Sequence, residues 1–186
     1  MVRQSITCIS LLFIGYGISY YCFDRYNSYK ELNTNELLTQ EYFYNINNNK
    51  KNNKYISVLE IPKINFKRGL YKKNSPKSEL SKNIIFLDTS DMPDKNNSKV
   101  IIVGHSGAPS NAYFKNLYKL KLKDSINLYY KKKVYEYKVS DIYEIKKNGT
   151  LALESNKDNK TLTLVTCKGM DKQIVIISTL IKEKLI

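Results

Sequence analysis

The sequence predicts a mainly β domain, a barrel or sandwich of about seven or eight short strands, carried behind an N-terminal membrane-spanning helix. Three observations predict it. Short apolar runs bounded by turn residues recur from residue 55 to the C-terminus, a charge-free apolar stretch occupies residues 5–23, and an Asn- and Lys-rich segment separates the two.

Taken as a helix, residues 5–23 would span roughly 28 Å, close to the hydrocarbon thickness of a bilayer. Tyr16, Tyr20 and Tyr21 suit an interfacial aromatic belt at its C-terminal end. A cleaved signal peptide fits less well, because bulky Tyr21-Cys22-Phe23 stands where a small-residue cleavage site would be needed. Residues 1–23 are therefore expected to be a transmembrane signal-anchor, with the chain a single-pass protein of the cell membrane and its domain outside the cell. Arg3 favours an inside amino terminus, although Arg25 and Lys30 dilute the bias. Residues 24–54 read as a polar stalk and linker: 24–40 a stalk or short polar helix, and 45–54 a segment with almost nothing apolar to bury. The folded domain is expected over residues 55–186.

Within it, Ile56, Val58 and Ile61 lead to Pro62, which should end a first strand. Residues 83–87 and 99–104 are apolar runs between turn residues, as expected of well-buried strands. Tyr135, Tyr137 and Val139 alternate with Glu136, Lys138 and Ser140, giving a half-buried strand. Residues 161–166 and 174–177 complete the series. One helix is expected over 111–120, where Tyr113, Phe114, Leu117 and Leu120 fall at helical spacing.

An apolar content of 42% supplies a core and excludes global disorder. The formal charge of +14 favours contact with polyanions or simply a solvated basic surface. No nucleic-acid recognition motif accompanies it, and a membrane anchor argues against that class. Cys8 and Cys22 lie in the apolar stretch, so Cys167 is alone in the domain, and His105 is the only histidine of the chain. No CxxC or Cys/His cluster offers a zinc site. Asp88, Asp91 and Asp94 do not have calcium-loop spacing and read as a solvated turn. No metal is expected.

His105 follows the apolar run 100–103 in a Gly-His-Ser-Gly sequence, and Cys167 follows the run 161–166, so two strands each end in a residue with proton or nucleophile chemistry. A thiol attacks a carbonyl as the thiolate, and an imidazole can take its proton and later protonate a leaving amine. On composition alone, a free cysteine packed as a small hydrophobe and an ordinary polar histidine remain open as well.

The local sequences resemble those of the sortase family. Val103-Gly104-His105-Ser106-Gly107 is similar to the sortase histidine motif, and Leu162-Thr163-Leu164-Val165-Thr166-Cys167 to its Thr-Leu-x-Thr-Cys motif. Leu59-Glu60-Ile61-Pro62-Lys63-Ile64 and Tyr113-Phe114-Lys115-Asn116-Leu117 resemble, in the family's order, the start of the domain and the helix after the histidine loop. The resemblance implies a closed eight-stranded β-barrel with one or two short helices. It also implies a cysteine transpeptidase, without metal or organic cofactor, that cuts a C-terminal sorting signal, often Leu-Pro-x-Thr-Gly, from secreted proteins. The thioester formed on the enzyme then passes to an amine of a peptidoglycan precursor or of a pilin.

By that resemblance Cys167 is the nucleophile, His105 the general acid/base, and Thr166 a residue that helps bind substrate or the oxyanion. The family's arginine on the strand after the cysteine is missing here. Gln173 stands about where it would fall, with Lys172 beside it, and either side chain can donate a hydrogen bond. Residues 24–55 carry no Asp-Pro-aromatic lid motif, which favours wall anchoring over pilus polymerisation. A catalytically impaired barrel that binds peptide or wall polymer is the main alternative, and a hydrolytic cysteine protease is a third.

Overall fold

Eight strands follow one long helix in the chain. Helix α1 (Val2–Asn47) is succeeded by β1 (Ser57–Ile61), β2 (Phe66–Leu70), β3 (Ile85–Phe86), β4 (Lys99–Val103), β5 (Ser125–Tyr130), β6 (Lys133–Lys146), β7 (Thr161–Lys168) and β8 (Lys172–Leu185). The computed structural model describes residues 2–50, 53–107, 112–147 and 159–186, with side chains from residue 10 onward. The strands make one sheet in the order β2-β1-β5-β6-β8-β7-β4-β3, curled around a single core into a nearly closed barrel.

Strand alternation fills that core. Leu59, Ile61, Val100, Ile102, Ile126, Leu128, Leu162, Leu164, Ile174 and Ile176, each two residues from a partner on the same strand, share one buried cluster. The edge strands β2 and β3 are joined by side chains: Asn83 Nδ2 donates to the Gly69 carbonyl at 2.9 Å, and Arg68 Nε donates to Asn83 Oδ1. The expected barrel is therefore present in strand number, with a side-chain seam in place of the last ladder.

Two expectations change. The helix expected over 111–120 begins outside the described residues, and from 112 to 120 it is a tight turn with one 3-10 segment, Leu117–Lys119. Phe114, Leu117 and Leu120 are still buried there. The backbone donates to distant or i−3 carbonyls, Phe114 N to His105 O at 2.8 Å and Leu117 N to Phe114 O at 3.0 Å, so no α-helical ladder forms. Apolar spacing reported the buried face correctly and the backbone incorrectly.

The second change concerns the N-terminus. The transmembrane signal-anchor expected over residues 1–23 begins outside the described side chains. Among the described residues no helix is long and apolar enough to cross a membrane, so the structure does not supply the expected span. The exposed apolar side chains of that stretch include Leu11, Leu12, Phe13, Ile14, Ile18 and Phe23.

The polar segment expected as stalk and linker continues the same helix to Asn47, and it is packed. Leu38, Tyr42 and Ile46 are buried against Tyr55 and Val58. Each such side chain contributes about 1.5–3 kcal/mol relative to exposure. Asn35, one turn earlier, covers the open edge of β2: its Nδ2 donates to Lys67 O at 3.1 Å and its Oδ1 accepts from Gly69 N at 3.2 Å. Lys67 stacks on the Phe43 ring at 4.8 Å and pairs with Glu60 at 3.4 Å, fixing the same helix to β2 and β1. The packed unit thus starts within α1, upstream of the boundary expected at Tyr55.

Candidate active site

β4 and β7 run parallel, with Val103 opposite Val165. Hydrogen bonds carry this register past the end of β4. Gly104 N donates to Val165 O at 3.2 Å, Thr166 Oγ1 donates to Gly104 O at 2.7 Å, and Ser106 Oγ donates to the Cys167 carbonyl. Residues 104–106 therefore lie alongside 165–167, and His105 stands abreast of Cys167.

On the other side of β7, the antiparallel strand β8 sets Gln173 directly opposite Cys167. Gly169, at φ +69°, takes the left-handed backbone that the reversal between these two strands requires. His105, Cys167 and Gln173 thus occupy neighbouring positions on three adjacent strands at one rim. All three are half-buried, accessible to a ligand yet partly shielded from water.

The face is set by alternation. Val103, Val165 and Val175 are in register across the three strands, each two residues from a member of the trio. They belong to a second apolar cluster, with Ile101, Tyr143, Ile145 and Ile177, distinct from the barrel core. Cys167 and Gln173 consequently lie on the outer face of the barrel, continuous with an apolar patch. A half-buried thiol, imidazole and amide donor at one rim have the chemistry for acyl transfer on an extended peptide.

Thr166 and Lys172 are placed differently from the trio. Thr166 is buried, and its hydroxyl is spent on the Gly104 carbonyl, so it fastens the end of β4 to β7. Lys172 pairs in register with Lys168 and falls on the sheet face opposite to Cys167. Its Nζ lies 3.4 Å from Glu144 Oε2, while Lys168 binds the other carboxylate oxygen. These bonds, Lys168 foremost, hold the Glu144 carboxyl below its usual range. Lys172 is therefore engaged away from the thiol. Asp91 is likewise occupied, by Lys95 at 2.6 Å and Lys99 N at 3.1 Å.

Several residues that brace the site were not singled out by sequence reasoning. Ser106, inside the quoted Gly-His-Ser-Gly, bonds the Cys167 carbonyl. Phe114 wedges against Gly104: a Cβ added there would meet Phe114 Cδ2 at 2.7 Å and Ile84 Cγ2 at 2.9 Å. Gly104 is thus required by close approach. A glycine immediately before a candidate base was the available signal.

A barrel that brings a thiol, an imidazole and a hydrogen-bond donor to one rim has the groups that cysteine acyl transfer requires. The family model for the sortase domain matches residues 59–181, and the chain belongs to the sortase family. Among solved structures, it is similar to sortase C1 from Streptococcus agalactiae, with 29% identity over 72% of this chain and 69% of that one and a TM-score of 0.60. Sortase C from Streptococcus pneumoniae shares 24% identity, covering 71% of this chain and 70% of that one, at a TM-score of 0.63. Sortase A from Corynebacterium diphtheriae shares 21% identity, covering 72% and 64%, at a TM-score of 0.62. No match is found among the curated proteins.

Proposed function

We propose that this sortase is an active cysteine transpeptidase of the cell surface, with Cys167 as nucleophile and His105 as general acid/base. The single observation that carries the reading is the register running from Val103–Val165 to His105 beside Cys167. In the first half-reaction the Cys167 thiolate attacks the scissile carbonyl of a sorting signal. The C–N bond breaks, the imidazolium of His105 gives its proton to the departing amine, and a thioester remains. In the second, an incoming amine loses a proton to His105 and attacks the thioester, regenerating the thiolate. The half-buried rim at Cys167 and Gln173 is the part of this face open to a Leu-Pro-x-Thr-Gly-like signal.

Gln173 fills the role of oxyanion donor in this reading. It lies directly across from Cys167, and its amide NH₂ supplies one neutral hydrogen bond where an arginine would supply a charged fork. Thr166 acts by positioning Gly104 and His105. The acceptor is an amine of a peptidoglycan precursor; a pilin lysine is the alternative, favoured by the 29% identity to a sortase C.

The test uses the full chain, a labelled Leu-Pro-x-Thr-Gly peptide, and either a glycine-type or a lysine-type amine. Ligated product that disappears in Cys167→Ala and in His105→Ala is expected. Peptide binding with no thioester in the wild type would instead identify an impaired barrel, and hydrolysis indifferent to amine would identify a protease. Gln173→Arg is expected to retain or raise the rate; abolition of activity would exclude Gln173 from the oxyanion position.

A further inference from the structure

Helix α1 reaches the candidate active site through a partly buried polar cluster. Glu31, on the packed stripe of the helix one turn before Asn35, accepts hydrogen bonds at Oε1 from both Arg68 Nη2 and the Tyr113 hydroxyl. Arg68 is the only arginine of the domain and is 6% exposed. Its guanidinium carbon lies 3.6 Å from the centroid of the Tyr113 ring, so Tyr113 is held both by its hydroxyl and by its face. The same hydroxyl also reaches the Lys82 carbonyl at 2.9 Å, and Arg68 Nε is bound by Asn83 at the barrel seam.

The next residue, Phe114, is fully enclosed and makes two contacts with the histidine segment. Its N–H donates to the His105 carbonyl at 2.8 Å, and its ring abuts Gly104. His105 is thereby held from two directions: by Thr166 and Ser106 along β7, and by Phe114 on the side facing the helix.

We propose that Glu31 and Tyr113 are positioning residues for His105, so that α1 is a working part of the active site through the path Glu31–Tyr113–Phe114–His105. The proposal rests on the reading of His105 as acid/base, but its geometric content concerns the imidazole's environment alone. Coulombic and hydrogen-bond constraints at the cluster fix the Tyr113 ring, and the rigid peptide between Tyr113 and Phe114 transmits that placement to the His105 carbonyl. Small displacements of a reacting group carry large kinetic costs, whereas neither Glu31 nor Tyr113 is among the residues assigned to bind the peptide. The turnover number should therefore respond while KM does not.

Because His105 is the only histidine, its Cε1–H proton gives a single imidazole resonance that reports directly on this environment. The experiment compares the full chain with Glu31→Gln and Tyr113→Phe, two near-isosteric changes, and with Glu36→Gln on the exposed side of the same helix. Both cluster variants are expected to shift or broaden the imidazole resonance. They should also lower kcat on the labelled peptide by about 10- to 100-fold with KM within about two-fold, while Glu36→Gln leaves all three unchanged. An imidazole resonance unmoved in Tyr113→Phe, or moved equally by Glu36→Gln, overturns the proposal. A wild-type chain without transpeptidase activity would sink the catalytic reading, and the resonance would then decide the positioning claim by itself.

Discussion

Replacing Gly104 with alanine adds one methyl group where the structure has no space for it. The new Cβ would lie 2.7 Å from Phe114 Cδ2, 2.9 Å from Ile84 Cγ2 and 3.0 Å from Phe114 Cγ. Phe114 and Ile84 are each 1% exposed, so neither can swing outward to relieve the clash. Overpacking of an enclosed site of this kind costs about 1–3 kcal/mol. For a chain of this size that corresponds to a melting temperature lower by roughly 2–12 °C. The relief must come from the backbone of residues 104–105 or from Phe114, and both carry His105, so activity should fall more than stability explains. A misplacement approaching 1 Å would cost on the order of 100-fold in kcat. The assay is thermal unfolding and peptide turnover of Gly104→Ala beside Gly107→Ala, whose added Cβ would meet nothing within 4 Å. Equal melting and equal turnover for the two variants would refute the reasoning, because Phe114 would then not be wedged against the strand end.

Thr166→Val keeps the side-chain shape but removes the donor to the Gly104 carbonyl, and should cost about 1–3 kcal/mol together with a loss of kcat. A raised KM with unchanged melting would mean that the hydroxyl serves the substrate instead. Acid should destabilise the fold through Glu60. Desolvation pushes its carboxyl up, but hydrogen bonds from Tyr129 and Asn127 and the charge of Lys67 outweigh this and hold it below its usual range. A folded-state value below the unfolded one gives stability that is complete above the ordinary glutamate pKa of ~4.3 and fades as pH falls through the depressed value. Melting followed from neutral pH down to acid should thus show a shallower decline in Glu60→Gln; an unchanged slope would rule Glu60 out as a contributor.

Six of the eight strands were legible because their signal is local, whereas β2 and β5 were not named from the sequence. Val100–Val103 is apolar on both faces, and Leu162–Val165 is apolar but for the buried Thr163, one set filling the core and the other the outer patch, and such runs mark strands buried on both sides. The packing of α1 was not legible. Its contact stripe toward the barrel includes Glu31 and Asn35, which are polar and bind through hydrogen bonds and an ion pair. Hydrophobic periodicity cannot report a face of that kind. The same holds for Arg68. Its value lies in Glu31, Asn83 and Tyr113, residues widely separated in sequence that only the fold assembles.

His105 lies just past the C-terminal end of β4 and Cys167 within the last residues of β7, and that fact alone does not bring them together. In an antiparallel pair the two ends would emerge at opposite rims. Among the described strands β4 and β7 make the parallel pairing, while the others run antiparallel, so this is the adjacency that delivers two strand ends to one rim. The antiparallel turn at Gly169 then returns the chain at once, which puts Gln173 on the same rim from the opposite direction. The parallel pair needs a crossover, and the long span between the two strands, through β5 and β6, supplies it. Nucleophile and base therefore lie far apart in sequence as a direct consequence of the strand order, and only the order of motifs along the chain could signal their meeting beforehand.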